Sequence, residues 1–310
     1  MKKIFNIIVL LSAALTASAQ YEPQYTMFVF NKLAYNPAYA GSKECLDVTA
    51  LYRNQWVGFK GAPTTAIISA HTPFFDNRCG IGLTITNDRL GLLNGTSGVL
   101  SYAYRIKTRK GVLSLGLQGE LEYAQTRWAD ANPFTNASVD GTIPDLNDNK
   151  LAPNFGAGIY YYQHNFYVGL SAPRFLKTSY YRSGGLNSGQ NSKDKRTYYG
   201  MAGLIANINK DVKFRPSVLV SYNASAPFEW VANASFIFRN ALWLGVSYRA
   251  GDSVDAFAQF QFNNQLRAGV GYDFTISKLA NYTNGSIELM VEYLFDCCGN
   301  DERVRHIRYF

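Results

Sequence analysis

Beyond its first 19 residues the 310-residue sequence has no apolar stretch of 18 residues. That excludes a protein crossing a membrane with helices, because each spanning helix needs about 20 apolar residues in a row. Histidine is scarce, with three in all. His71, His164 and His306 stand on separate segments without metal-ligand spacing, which points to structural or surface roles. No glycine-rich phosphate loop or nucleophile elbow stands between a strand and a helix. These gaps argue against an enzyme and against any cofactor. Charged residues make up 17% of the chain and are scattered singly along the strands rather than clustered there. The net charge of +8 therefore does not form the basic stretch that a nucleic-acid partner would require.

The first residues have a different character. Lys2 and Lys3, the apolar run Ile4 to Leu15, and the small residues Ala17-Ser18-Ala19 have the layout of a secretory signal peptide. The run is too short for a membrane anchor, so cleavage after Ala19 and a mature chain starting at Gln20 are expected. No Cys follows that site, so a lipidated N-terminus is not expected. Domain boundaries follow: 1–19 leader, 20–44 an N-terminal periplasmic or plug segment, 45–296 a barrel, and 297–310 a periplasmic tail.

What the sequence has in abundance is aromatic residues, 15% of the chain, together with 26 Gly. Such composition suits strands, and aromatic girdles mark membrane barrels at both interfaces. Period-two alternation is clearest in the C-terminal half. Phe228, Trp230, Ala232, Ala234, Phe236 and Phe238 oppose Glu229, Asn233, Ser235 and Arg239. Leu242, Leu244, Val246 and Tyr248 oppose Trp243, Gly245, Ser247 and Arg249, and the pattern recurs over 253–263 and 264–275. It appears earlier at Leu100–Ile106, at Leu113–Tyr123 and at Val212–Tyr222, where Pro216 is a blemish because proline cannot donate to a ladder. A soluble β-sandwich also alternates, but its strands average about 5–6 residues, whereas spanning strands need about 9–11.

The pattern predicts an all-β fold: a transmembrane antiparallel β-barrel of about 14 strands, with an N-terminal plug segment and long extracellular loops. The strands fall near 46–55, 64–72, 79–87, 96–106, 111–123, 153–163, 164–172, 198–208, 213–222, 228–239, 240–250, 253–263, 264–275 and 284–295. The number is even, as in single-chain bacterial barrels, and with both termini in the periplasm every second connection is a short turn. The longest connections, 124–152 and 173–197, then fall outside the cell. Ile287, Leu289, Val291, Tyr293 and Phe295 give the last strand a lipid face ending in an aromatic. Arg at lipid-facing Ala234 is expected to cost roughly 2–4 kcal/mol at the midplane, and less at lumen-facing Ser235. The inward carboxylates Glu120, Glu122, Glu288 and Glu292 are expected to pair with Arg105, Arg215, Arg239 and Arg267.

All four cysteines fall at the periplasmic end of this topology. The first and last strands are neighbours on closure, so Cys45 is expected to meet Cys297 or Cys298 in a disulfide; free buried thiols are the alternative. The segment from Gln20 to Gly41 is too aromatic for a disordered tail. Within it Asn36 and Pro37 favour a turn, flanked by Tyr35, Ala38 and Tyr39, with Gly41 before the first strand. This element is expected at the periplasmic mouth, as a pore block or a surface for a partner, with Trp56 and Phe59 as further contact candidates.

Several of these stretches resemble a known family. Gln24-Tyr25, Asn36-Pro37-Ala38-Tyr39-Ala40-Gly41, Ala50 to Phe59, Gly61-Ala62-Pro63-Thr64-Thr65, His71-Thr72-Pro73 and the final Arg308-Tyr309-Phe310 are similar to the opening and ending of the PorP/SprF family. The Cys297-Cys298 pair departs from its pattern. The resemblance implies an outer-membrane component of the type IX secretion and gliding machinery. Its implied partners are outer-membrane lipid, other secretion components, and large surface proteins that are secreted or retained. A second reading is a channel for small hydrophobic solutes, resembling fatty-acid transport barrels, which also have fourteen strands and an N-terminal plug with an Asn-Pro-Ala element. An apolar lumen would favour that reading; the inward face here carries Arg, Glu, Asp and Gln.

Overall fold

The structure is a computed structural model that describes residues 24–43, 45–127, 148–176, 196–224 and 228–295. Its first seven strands are β1 (Asp47–Asn54), β2 (Thr64–Phe74), β3 (Cys79–Leu90), β4 (Leu93–Lys107), β5 (Val112–Thr126), β6 (Asp148–Tyr162) and β7 (Phe166–Ala172). The next four are β8 (Thr197–Leu204, resumed at Ala206–Asn207), β9 (Val212–Asn223), β10 (Glu229–Phe238) and β11 (Leu242–Arg249). β12 (Ser253–Gln261), β13 (Leu266–Thr275) and β14 (Ser286–Leu294) complete the set. Each strand pairs antiparallel with the next, and β14 returns to β1 from Asp47↔Leu294 to Asn54↔Ile287. The sheet is thus a closed 14-stranded meander without a free edge, so its ladder groups pair within the sheet where no water can satisfy them.

Side chains follow the two-residue period that a pleated strand imposes. On β10, Trp230 and Phe236 point outward while Val231, Asn233, Ser235 and Ile237 are buried. The outer surface carries a continuous display of exposed Leu, Ile, Val and aromatic side chains, such as Leu117, Leu170, Val246 and Leu289. Exposed apolar residues on this scale are stable only against lipid. At one end every connection is short, at 75–78, 108–111, 163–165, 208–211, 239–241 and 262–265, whereas the other end also holds the longer 55–63 and 276–285. At the tightest of the short ones Arg239 and Asn240 take φ of 47° and 57°, the left-handed pair that lets a two-residue hairpin follow the strand twist. Short turns mark the periplasmic end in such barrels; it is called the inner end below.

Two expectations change. β5 runs on to Thr126 and β6 starts at Asp148, so part of the anticipated loop 124–152 is strand; what remains of it, and most of 173–197, lies outside the described residues. Ser235 faces inward as expected, yet it is 0% exposed and its hydroxyl donates to the Arg215 carbonyl. The milder outcome foreseen for Arg at that site presumed an open lumen, and this lumen is filled. Ala234, outward in mid-strand, keeps its prediction. Ala234→Arg should destabilise by roughly 2–4 kcal/mol, measured by denaturant unfolding in lipid vesicles; a change below about 1 kcal/mol would contradict the register.

Pro216 sits inside β9 and still pairs on one side with Ala234 of β10. On the other side the β8–β9 ladder breaks between Ser217↔Gly203 and Phe214↔Ala206. The missing proline N–H therefore falls on the β8 side, and β8 is interrupted at Ile205.

Candidate functional site

The lumen holds the chain's own N-terminal segment. Residues 24–43 run inside the wall from the outer ends of the strands down to the inner mouth, where the chain turns into β1. Short turns and two 3-10 helices, Lys32–Ala34 and Pro37–Tyr39, keep the segment compact. It meets the wall in three zones.

The outer zone is ionic. Gln24 donates to Glu229 and to Ser221. The amides of Thr26 and Met27 donate to the two oxygens of Glu288, at 2.9 and 2.7 Å, and the Thr26 hydroxyl donates to Asp273. Arg53 binds the group together: one guanidinium nitrogen lies 2.5 Å from Asp273, the other 3.1 Å from both Glu288 and the Thr26 hydroxyl. Arg53 and Glu288 are essentially inaccessible to solvent. Buried charges persist only when paired and hydrogen-bonded on this scale.

The middle zone is apolar. Met27, Phe28, Val29, Phe30, Leu33 and Tyr35 form one core with inward-facing Ile67, Tyr199, Met201, Leu219, Val231, Ile237, Trp243, Phe257 and Met290. Phe30 meets Phe257 edge-on at 5.7 Å, and Tyr35 meets Tyr199 at 5.3 Å. Edge-to-face geometry of this kind adds about 0.5–1.5 kcal/mol per pair beyond area burial. Lys32 is buried with its ammonium over the rings of Tyr167 (4.5 Å) and Tyr39 (5.1 Å), a cation–π arrangement.

The inner zone is a fitted seat for residues 36–43. The Asn36 side chain caps the second 3-10 helix by accepting from the Ala38 amide, while its nitrogen donates to the carbonyls of Ile159 on β6 and Leu170 on β7. Glycines on the wall make this approach feasible. A Cβ on Gly158 would overlap the Asn36 oxygen, and one on Gly116 would overlap the backbone of Ala38. Tyr39 packs edge-on against His71 and Tyr160. The Gly41 amide donates to His71 Nδ1, and Arg105 donates to the Gly41 carbonyl at 2.7 Å. Lys43 then ion-pairs with Asp47 at 2.6 Å and with Glu292.

Of the residues singled out from sequence, Tyr35, Asn36, Pro37, Ala38, Tyr39 and Gly41 are thus brought together. Trp56 and Phe59 are not: they lie in the β1–β2 connection at the outer end, where Trp56 is half-buried and Phe59 is 50% exposed. The segment itself also reaches further than the inner mouth, since Gln24 to Met27 bond to the outer ends of β9, β10, β13 and β14. Cys45 is disulfide-bonded and Cys79 is a buried free thiol; Cys297, Cys298 and His306 lie outside the described residues. The anticipated ion pairs hold for Glu292 with Arg267 at 3.2 Å. Glu288 instead takes Arg53, Glu120 and Glu122 take Arg174, and Arg239 sits exposed on a turn beside Asp211. Arg105 and Arg215 spend donors on the segment's carbonyls, at Gly41 and Val29.

Sequence reasoning missed the apolar part of the inner wall and the role of Arg53. A signal for the former existed: Val231, Ile237, Trp243, Phe257 and Met290 occupy inward positions of otherwise polar faces. Among the described residues no group of three His, Cys, Asp or Glu could hold a metal ion.

Comparison with known proteins agrees with this architecture. A family described as type IX secretion system membrane protein PorP/SprF matches residues 17–293. No curated protein matches the chain. Among solved structures, the CymD monoaromatic hydrocarbon channel superposes with a TM-score of 0.51 at 11% identity, over 86% of this chain and 92% of that one. A deletion mutant of the TodX monoaromatic hydrocarbon channel gives 0.47 at 14% identity, over 90% and 96%. The outer membrane protein Omp33 of Acinetobacter baumannii gives 0.46 at 7%, over 81% and 98%. At such identities the CymD likeness speaks for the fold alone.

Proposed function

Because the chain belongs to the PorP/SprF family of type IX secretion system membrane proteins, we propose that it supports secretion or surface retention of large cargo proteins as a non-enzymatic partner within that machinery. It is an integral outer-membrane β-barrel. The observation that carries the proposal is the filled lumen: residues 24–43 are bonded to the wall at both ends and packed against it between them. A barrel so occupied is suited to presenting surfaces at its two mouths. The inner zone, with Asn36, Pro37, Tyr39 and Gly41, acts as plug and as the support on which the periplasmic face is organised.

The second reading, a conduit for small hydrophobic solutes, draws on the apolar residues of the inner wall. Here those residues are covered by the segment, and the remaining wall is ringed by Arg53, Arg105, Arg215, Arg249 and Arg267. Deletion of residues 20–41 separates the readings. The expected result is normal insertion of the barrel with failure of cargo secretion or retention at the cell surface. Undiminished cargo at the surface together with newly acquired channel conductance would reduce the segment to a seal and sink the proposal.

A further inference from the structure

The break in β8 has a consequence at the inner mouth. Beside Pro216, β8 loses its β9 partners at Leu204 and Ile205 but stays tied to the β6–β7 turn, because the Ile205 amide donates to the Asn165 carbonyl at 2.8 Å. The β8–β9 turn is itself ordered, since the Asn209 side chain accepts from the amides of Asp211 (2.9 Å) and Val212 (2.7 Å). Between these two turns lies a cleft of about 550 Å³ whose lining includes His164, Asn165, Ile205, Asn207, Lys210 and Lys213. That volume is within the usual range for ligand sites, about 300–1,000 Å³.

Its orientation and charge narrow the occupant. Inward positions on β8 and β9 are the odd ones, as buried Tyr199, Met201, Arg215 and Ser217 show, so Ile205, Asn207 and Lys213 face the lumen side of the mouth. The cleft therefore opens to the aqueous periplasm and away from the lipid around the barrel. Amide side chains satisfy a polypeptide backbone through donor and acceptor alike. The cations belong to a wider pattern: the inner turns and their flanks carry Arg78, Lys107, Arg109, Lys110, Lys210, Lys213 and Arg239 against Asp76 and Asp211. A rim of one sign attracts and orients partners of the other.

We propose that this cleft docks an acidic, extended segment of a periplasmic polypeptide. The proposal deepens the reading above and rests on it for the side of the membrane, but its test does not depend on secretion. The full-length barrel, held in phosphatidylcholine nanodiscs, is titrated into a fluorescein-labelled peptide of alternating Glu and Ser, with a Lys and Ser peptide as control. Binding is read by anisotropy at low salt. Lys210→Glu combined with Asn207→Asp, both on exposed side chains, should weaken binding about tenfold or more. Lys107→Gln combined with Lys110→Glu makes the same charge change elsewhere on the rim and should weaken it less than about threefold. Equal losses from the two pairs would reduce the effect to general rim electrostatics and overturn the site. Absence of binding by the unaltered barrel would overturn it as well, and so would complete displacement of the peptide by phosphatidylglycerol vesicles, which would reassign the cleft to lipid. A barrel that binds the peptide yet fails to support cargo would refute the secretion role and leave the cleft standing.

Discussion

Replacement of Arg53 by Ala should destabilise the barrel by about 3–5 kcal/mol, the typical cost of removing one partner from a buried ion pair. Arg53 is the only cation within 4 Å of Glu288 among the described residues, and it shares Asp273 with Arg249, which stands 3.6 Å away. Without it, Glu288 stays buried with the Thr26 and Met27 amides as partners and no countercharge. The damage also crosses the closing seam, because Arg53 belongs to β1 and Glu288 to β14, directly paired in register. Denaturant unfolding in lipid vesicles measures the loss, with the slope checking that the transition is unchanged in kind. Arg53→Lys keeps the charge but not the fork that spans two carboxylates, so an intermediate loss is expected. Combining Arg53→Met with Glu288→Gln and Asp273→Asn should recover part of the stability, since no buried charge is then left alone. A single Ala substitution costing under about 1 kcal/mol would show that the outer zone is solvated and its pairing dispensable.

The other large effect concerns the seat of the segment. Gly116→Val should evict residues 36–40 from the wall while leaving the barrel closed. A Cβ at Gly116 has nowhere to go: it meets backbone atoms of Pro37 and Ala38, which cannot swing aside as a side-chain tip would. The strand itself tolerates valine, a favoured strand residue. Overpacking typically costs about 1–3 kcal/mol, and here the segment yields before the 14-stranded wall does. The expected readout is stepwise ion conductance in planar bilayers, together with faster proteolysis of residues 24–43, in a barrel that still folds and inserts. Gly119→Val on the same strand is the control, because Gly119 has open space around its Cβ direction on the lipid side. Conductance and protease resistance equal to the unaltered protein would show that the seat does not hold the segment in place.

The sequence by itself determined the wall. Alternation along 228–275 assigned lipid and lumen faces that the structure reproduces within the strands, because a pleated strand offers only two directions; Arg239, read as inward, lies instead on a turn. Strand number was equally legible, since a closed antiparallel meander admits only an even count. Asn36-Pro37 was readable as a turn because both residues act locally, through a side-chain cap and a fixed φ.

Partnership across the lumen was decided by tertiary structure. Glu288 was visible as an inward carboxylate, but its cation, Arg53, lies far away in the chain and becomes a neighbour only when β14 meets β1. Arg215 and Arg105 looked like partners for carboxylates and instead hold carbonyls of the segment. The turns that carry Lys107 and Lys110, Lys210, and Arg239 lie far apart along the chain; closure of the barrel sets them on one rim. Whether the lumen was empty could not be read from alternation, which reports the face of a residue and not what it touches. That depended on shape: glycines at 116 and 158 leave a hollow that the backbone of Pro37 and Ala38 and the Asn36 side chain fill.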